Sequence, residues 1–181
     1  MKWVFRIVGG LVAVLILGAV TLLIMGHRAN AKHIHSVAEL SGTPAEVWPW
    51  INDADKVGKW VSWVVEVRNP STYSVGAKRV VVMKDENNGG RLMEIAGTFS
   101  EYQPPSSMTV QLSSAGAFDG TQAYRLTDLG NRRTRLEIDF DFHFTSALAR
   151  LMEPLITPQA EKKMVSDLDR LKSLVGQKAA L

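Results

Sequence analysis

In the stretch 132–144, polar and apolar positions alternate without a fault from residue 135 to its end. Leu136, Ile138, Phe140, Phe142 and Phe144 fall on one side, and Arg135, Glu137, Asp139, Asp141 and His143 on the other. A period of two predicts a strand with one dry and one wet face, as in an antiparallel sheet that covers a core. Similar runs precede it. Residues 33–40 predict a first strand, and 60–68 a strand with Val61, Trp63, Val65 and Val67 on one face. Residues 78–84, 91–100, 107–113 and 120–127 predict four more. Turn chemistry separates them: Asn87-Asn88-Gly89-Gly90 reads as a hairpin, Pro104-Pro105 as a break, and residues 128–131 as a further turn. Gly97 is expected to mark a bend or bulge.

Two regions keep a helical period instead. Thr43 is a helix cap, Pro44 suits the first helical position and Glu46 completes a capping box, while Pro49 keeps that helix short. Residues 52–55 offer a second cap for a turn ending near Gly58. Near the C-terminus, Met164, Leu168, Leu171 and Val175 form one apolar stripe over residues 158–175. Lys162, Lys163, Asp167, Asp169, Arg170 and Lys172 take the other faces and favour water. Thr157 is expected to cap this helix, Pro158 to open it and Gly176 to end it. Residues 146–156 then form a separate helical piece that Pro154 disturbs. Burying the stripe and its neighbours stabilises the chain by roughly 8–15 kcal/mol, at about 1.5–3 kcal/mol per side chain. A lone helix cannot realise that gain, so the strands must supply the surface.

The first thirty residues differ from the rest. From Ile7 to Met25 there are 19 residues without a charge, twelve of them Leu, Ile or Val. As a helix of about 28 Å this stretch matches a hydrocarbon core of about 30 Å. Its summed insertion free energy is roughly −4 to −7 kcal/mol. The expectation is a transmembrane anchor over residues 1–32 followed by one domain over 33–181. The alternative is a cleaved signal peptide, because Ala29-Asn30-Ala31 has the small-x-small form of a cleavage site. Lys2, Arg6 and the free N-terminus outweigh Arg28 and Lys32. The domain is therefore expected on the outer side of the membrane, periplasmic or extracellular.

The order of elements resembles the helix-grip fold of the START-like (SRPBCC) superfamily. Thr43-Pro44-Ala45-Glu46-Val47-Trp48, with Asp53 and Trp60 after it, is similar to the family's opening motif. Residues 120–128, the Gly130-Asn131 turn and the strand ending at Phe144 are similar to its last hairpin. Leu168-Asp169-Arg170-Leu171-Lys172 is similar to its closing helix. The chain is most like the polyketide cyclase/dehydrase and lipid-transport branch. The resemblance implies an α+β fold, a curved antiparallel sheet wrapped around a long C-terminal helix. It also implies a deep cavity between them that usually holds an apolar small molecule. The superfamily includes lipid transfer proteins, coenzyme-Q-binding proteins, cyclases and chaperone-ATPase activators, so fold leaves function open.

Composition narrows the chemistry. With 21 basic and 18 acidic side chains the net charge is +3, but the basic residues are scattered among acids. No nucleic-acid partner is expected. The absence of cysteine removes thiolate catalysis and cysteine-ligated metals. His33 and His35 share a strand face at i, i+2, which could hold a metal, but with no cysteine and no nearby carboxylate none is expected. His143 beside Asp139 and Asp141 reads as a solvated outer face, not an acid/base unit, and no cofactor is implied. The candidate site is therefore the apolar inner surface. Its lining is expected from Trp63, Met93, Ile95, Phe99, Val110, Leu112, Phe140, Met164, Leu168 and Leu171, with Gln122 and Tyr124 as the polar groups that orient a ligand. Three functions fit: a membrane-anchored binder of a lipid or other hydrophobic small molecule, a cyclase-like enzyme, or an interaction module using outer strand faces through Arg79 or Arg135.

Overall fold

The structure, a computed structural model, describes residues 2–28, 31–85 and 89–179; at 2–6, 11, 22, 25–28, 85 and 177–179 it describes the backbone alone. The elements are α1 (Lys2–Arg28), β1 (Lys32–Ser41), α2 (Pro44–Asn52), α3 (Ala54–Trp60), β2 (Val64–Arg68), β3 (Lys78–Asp85), β4 (Arg91–Gln103), β5 (Ser107–Ser114), β6 (Phe118–Gly130), β7 (Arg133–Phe144) and α4 (Ala147–Ala179). The seven strands make one antiparallel sheet in the order β1-β7-β6-β5-β4-β3-β2. The first strand thus pairs with the last, and α4 crosses the concave face. This is the helix-grip arrangement.

The alternation of β7 governs the layering. Leu136 and Ile138 are buried with Ala38 and Leu40 of β1, Phe99 of β4, and Met108 and Val110 of β5. Leu168, Leu171 and Val175 of α4 close this core from above, and α2 adds Val47, Trp48, Trp50 and Ile51. The Glu46 carboxylate accepts the Thr43 backbone N–H at 2.8 Å, so the capping box orients α2 as the sequence requires.

Several expectations need correction. Trp60 does not open a strand: it ends α3, and its indole N–H donates to the Trp50 carbonyl at 2.8 Å inside the core. Val61 and Trp63 precede β2, and Val65 is exposed. Their apolar alternation reflects a turn packed on one side, not a strand. Gly97 is no bulge; the register slips between Phe99 and Glu101. A Cβ at Gly97 would stand 2.8 Å from Val110 Cγ1, so the glycine admits a neighbouring side chain. α4 is one helix, not two. Pro154 and Pro158 lie inside it, Thr157 is interior, and the helix passes Gly176. The two prolines are one turn apart on the same side, so their missing N–H donors concentrate there and the remaining ladder holds.

Asp167, assigned to water by its sequence context, is only 4 % exposed. Its carboxylate accepts the Ser62 N–H at 3.3 Å, which clamps α4 to the turn before β2.

α1 is a continuous helix of 27 residues. Counted over the described residues, no helix is long and apolar enough to cross a membrane. Leu11, Leu22 and Met25 belong to the expected span, but their side chains lie outside those described, so a transmembrane segment is not shown. Residues 29 and 30 of the expected cleavage site, and residues 86–88 of the expected hairpin, also lie outside the described residues.

Candidate functional site

Strand register sets the inner side chains in rows across the concave face. One row runs Phe99, Val110, Gln122, Phe140 and Ile34. The next runs Tyr102, Met108, Tyr124, Ile138 and Ser36. A third holds Arg79, Gly97, Leu112, Gly120 and Phe142. Two glycines in that row leave the sheet thin beside Arg79.

The expected lining residues divide into two groups. Ile95, Phe99, Val110, Leu168 and Leu171 are buried in ordinary packing. Met93, Leu112, Gln122, Tyr124, Phe140, Met164 and Trp63 are half-buried, and Leu112, Tyr124 and Met164 lie against the core cluster. Trp63 stands apart from the rows, with the Lys163 ammonium 5.9 Å over its ring. Beyond Tyr124 the inner face becomes aromatic: Phe140 stacks on Phe142 with centroids 4.6 Å apart, and Phe118 and Phe144 pack edge-on to Phe142.

The inner face also holds a charge. Arg79, only 6 % exposed, points inward from β3, so the expectation that it serves an outer interaction surface is wrong. Its Nε donates to Asn69 Oδ1 at 3.1 Å and its Nη2 to the Asn52 carbonyl at 2.9 Å. Tyr73 donates to the same carbonyl at 3.4 Å, and Tyr102 reaches Asn52 Oδ1 at 3.5 Å. The guanidinium sits over the Phe99 ring, 5.8 Å from its centroid. Among the described residues no carboxylate pairs with it. Burial lowers the Arg79 pKa from its ordinary value, opposed by Tyr124, then Tyr73, Tyr102 and Asp53. Burial also pushes the Tyr124 phenol up to about 12, opposed by Arg79. The chain has three tyrosines, and all three act on this one arginine. The cluster sets a guanidinium among three phenols, a donor-rich group whose chemistry suits a carboxylate, a phosphate or a polarised carbonyl.

The outer face carries the histidines. His33 lies opposite Asp141, and His35 opposite Asp139, across the β1–β7 ladder. His33 Nδ1 is 2.8 Å from Asp141 Oδ1, and His35 Nδ1 is 2.6 Å from Asp139 Oδ1. The reading that no carboxylate is near these histidines holds along the chain and fails across the strands. An open depression of about 540 Å³ adjoins them, between Thr98, Gln111, Asp119, Thr121, Asp141 and His143. It lies on the outer face of the sheet, away from α4. Glu94 and His143 are exposed, and Asp139 faces outward, so none of these groups reaches the interior.

The family model described as polyketide cyclase/dehydrase and lipid transport matches residues 32–176. The chain belongs to this family. The Zhui aromatase/cyclase from Streptomyces sp. R1128 shares its fold, with 14 % identity and a TM-score of 0.66 over 82 % of this chain and 96 % of that one. A conserved protein from Geobacillus kaustophilus superposes with 12 % identity and a TM-score of 0.65, covering 81 % of this chain and 96 % of that one. A START superfamily protein from Mycobacterium smegmatis gives 12 % identity and a TM-score of 0.60 over 80 % and 97 % of the two chains. No curated protein matches the sequence. Identities this low establish the fold alone.

Within this polyketide cyclase/dehydrase and lipid transport member, reading by period missed Arg79, Asn52, Tyr73 and Tyr102. In the run Lys78 to Lys84 both faces carry valine, so alternation does not say which way Arg79 points. Val82, on the opposite face, is buried beneath the ion pairs that Arg68 makes with Glu66 at 2.9 Å and Glu94 at 2.8 Å. Tyr73 is in a loop with no period. The one available signal was the scarcity of tyrosine.

Proposed function

We propose that this protein is a membrane-anchored binder of a hydrophobic small molecule whose polar or anionic head meets Arg79. The observation that carries the reading is a buried guanidinium with no carboxylate partner among the described residues. Such a charge costs several kcal/mol to bury unless something compensates it, and two amide oxygens compensate only in part. A ligand head group supplies the missing acceptor, while Tyr124 and Gln122 orient it and Leu112, Phe140, Met93 and Met164 meet its apolar body.

Anchoring rests on α1. Its 27 residues span about 40 Å at 1.5 Å per residue. Val14, Leu17 and Leu15 are 70, 69 and 64 % exposed, a surface that water disfavours and hydrocarbon accepts. α1 lies against α4, on which Leu148, Met152 and Leu155 form a second exposed apolar stripe. In this reading that stripe faces the bilayer, and the charge balance around α1 favours the outer side.

The test compares a fatty acid with the alcohol of equal chain length, using full-length protein in detergent. Arg79→Met should weaken the acid about tenfold or more and leave the alcohol nearly unchanged. Tyr124→Phe should weaken both polar-headed ligands more than a pure hydrocarbon. Native mass spectrometry of gently extracted protein should show one apolar molecule retained. Equal effects of Arg79→Met on acid and alcohol, with unfolding unchanged, would remove the head-group assignment. The second reading is a cyclase-like enzyme, favoured by the titratable Tyr124 beside Arg79. It requires that Tyr124→Phe abolish turnover of a bound polyketide analogue while binding persists.

A further inference from the structure

The outer face of β1 and β7 brings together groups that the ligand site does not use. We propose that His33, His35 and Asp139 bind a divalent cation of the zinc class, with Asp141 orienting His33. The inference is independent of the ligand reading, because these side chains point away from the space under α4.

Strand geometry carries it. Residues i and i+2 of β1 face the same side, and so do Asp139 and Asp141 of β7. The register places each histidine directly opposite a carboxylate. The two imidazoles are almost parallel, 12° apart with centroids separated by 6.3 Å. One donor atom from each of His33, His35 and Asp139 lies within 4.8 Å of the other two. His33 Nδ1 is engaged by Asp141 at 2.8 Å, while its Nε2 stands 3.7 Å from Asp139 Oδ1. When Nδ1–H donates to Asp141, the lone pair on Nε2 is left for a metal, which is the carboxylate–histidine–metal arrangement of many zinc sites.

The three donors reach one cation by side-chain rotation, since all lie within 4.8 Å of one another. Ligands at about 2.0–2.1 Å in a tetrahedral site lie roughly 3.3 Å from one another. The His33–Asp139 separation of 3.7 Å is close to that. The His35–Asp139 contact of 2.6 Å must open by some tenths of an ångström, which a rotation of the half-exposed imidazole allows. Two imidazoles and one carboxylate suit Zn²⁺ among the common cations, since Mg²⁺ and Ca²⁺ prefer all-oxygen sets. His33 and His35 are about half exposed, so at least one coordination position faces water. Paired strands hold the donors with less freedom than a loop, which lowers the ordering cost of binding.

The blander account is two cross-strand His–Asp ion pairs of small energy. Equilibrium dialysis of the full-length protein in detergent against Zn²⁺, followed by Co²⁺ absorption, separates the two. The site predicts one Zn²⁺ per chain at micromolar concentration. Co²⁺ should give visible bands of a nitrogen–oxygen site with four or five ligands. His35→Ala and Asp139→Asn should each abolish that binding, and Asp141→Asn should weaken it about 10- to 100-fold. Far-UV circular dichroism of each variant confirms the fold. Binding only above millimolar Zn²⁺, or binding that survives both His33→Ala and His35→Ala, overturns the proposal.

Discussion

At the scale of single residues, burial and partner set the behaviour more than residue type does. Asp167 illustrates it. Burial raises its pKa, against the lowering effect of the Ser62 hydrogen bonds and of Lys163 and Arg170. A carboxyl whose pKa is higher folded than unfolded contributes stability that is complete below the unfolded value, about 3.9 for aspartate. That contribution falls as pH rises through the folded pKa. Asp167→Asn retains an acceptor for Ser62 and removes this dependence. The variant should therefore gain on the parent between pH 4 and pH 7, measured by urea midpoints at both values. A constant difference across that range would contradict the burial argument. Arg79 is the counterpart: expected on an outer face, it is turned inward by register, and among the described residues no carboxylate pairs with it.

At the scale of elements, the sheet and α4 stabilise each other through a few close contacts. Leu171 is fully buried under the helix, and Leu171→Ala should destabilise the domain by about 2–5 kcal/mol. Gly120 is constrained differently. A Cβ there would stand 2.6 Å from the Asp141 carbonyl and 2.8 Å from Phe142 Cβ. Gly120→Ala should cost about 1–3 kcal/mol by overpacking at the β6–β7 ladder, read as a lower thermal midpoint. No change would mean that β6 shifts freely, and then the rows of the inner face would not be rigid enough to select a ligand. Elements also show where local signals mislead. Capping and proline rules place a boundary at residues 157–158, yet the tertiary surface under α4 outweighs them and the helix continues.

At the scale of the whole molecule, the proposal of a binder that works at a bilayer rests on α1, the exposed stripe on α4 and the inner face together. Phospholipid vesicles should carry the full chain upward on flotation and leave a chain beginning at Ala31 behind. If Leu148→Glu with Leu155→Glu in the full chain slows transfer of a fluorescent fatty acid from vesicles without releasing the protein, the α4 stripe is the entry side. Unchanged transfer would place entry elsewhere. The family and the helix-grip fold set the architecture, but neither decides between binding and catalysis, and the variants at Arg79 and Tyr124 test that difference.

Local periodicity determined every strand but the start and facing of β2, the short capped helices, the apolar stripe of α4 and the side of β7 that is dry, because each depends on neighbours two to four residues apart. Motif order along the chain was enough to point to the family. Register and enclosure were decided by the tertiary structure alone. Nothing local places Arg79 among three tyrosines drawn from β4, β6 and a loop, or sets His33 and His35 opposite Asp141 and Asp139 more than a hundred residues away. Those juxtapositions arise when the first strand pairs with the last and α4 shuts the concave face, and both the candidate ligand site and the candidate metal site consist of them.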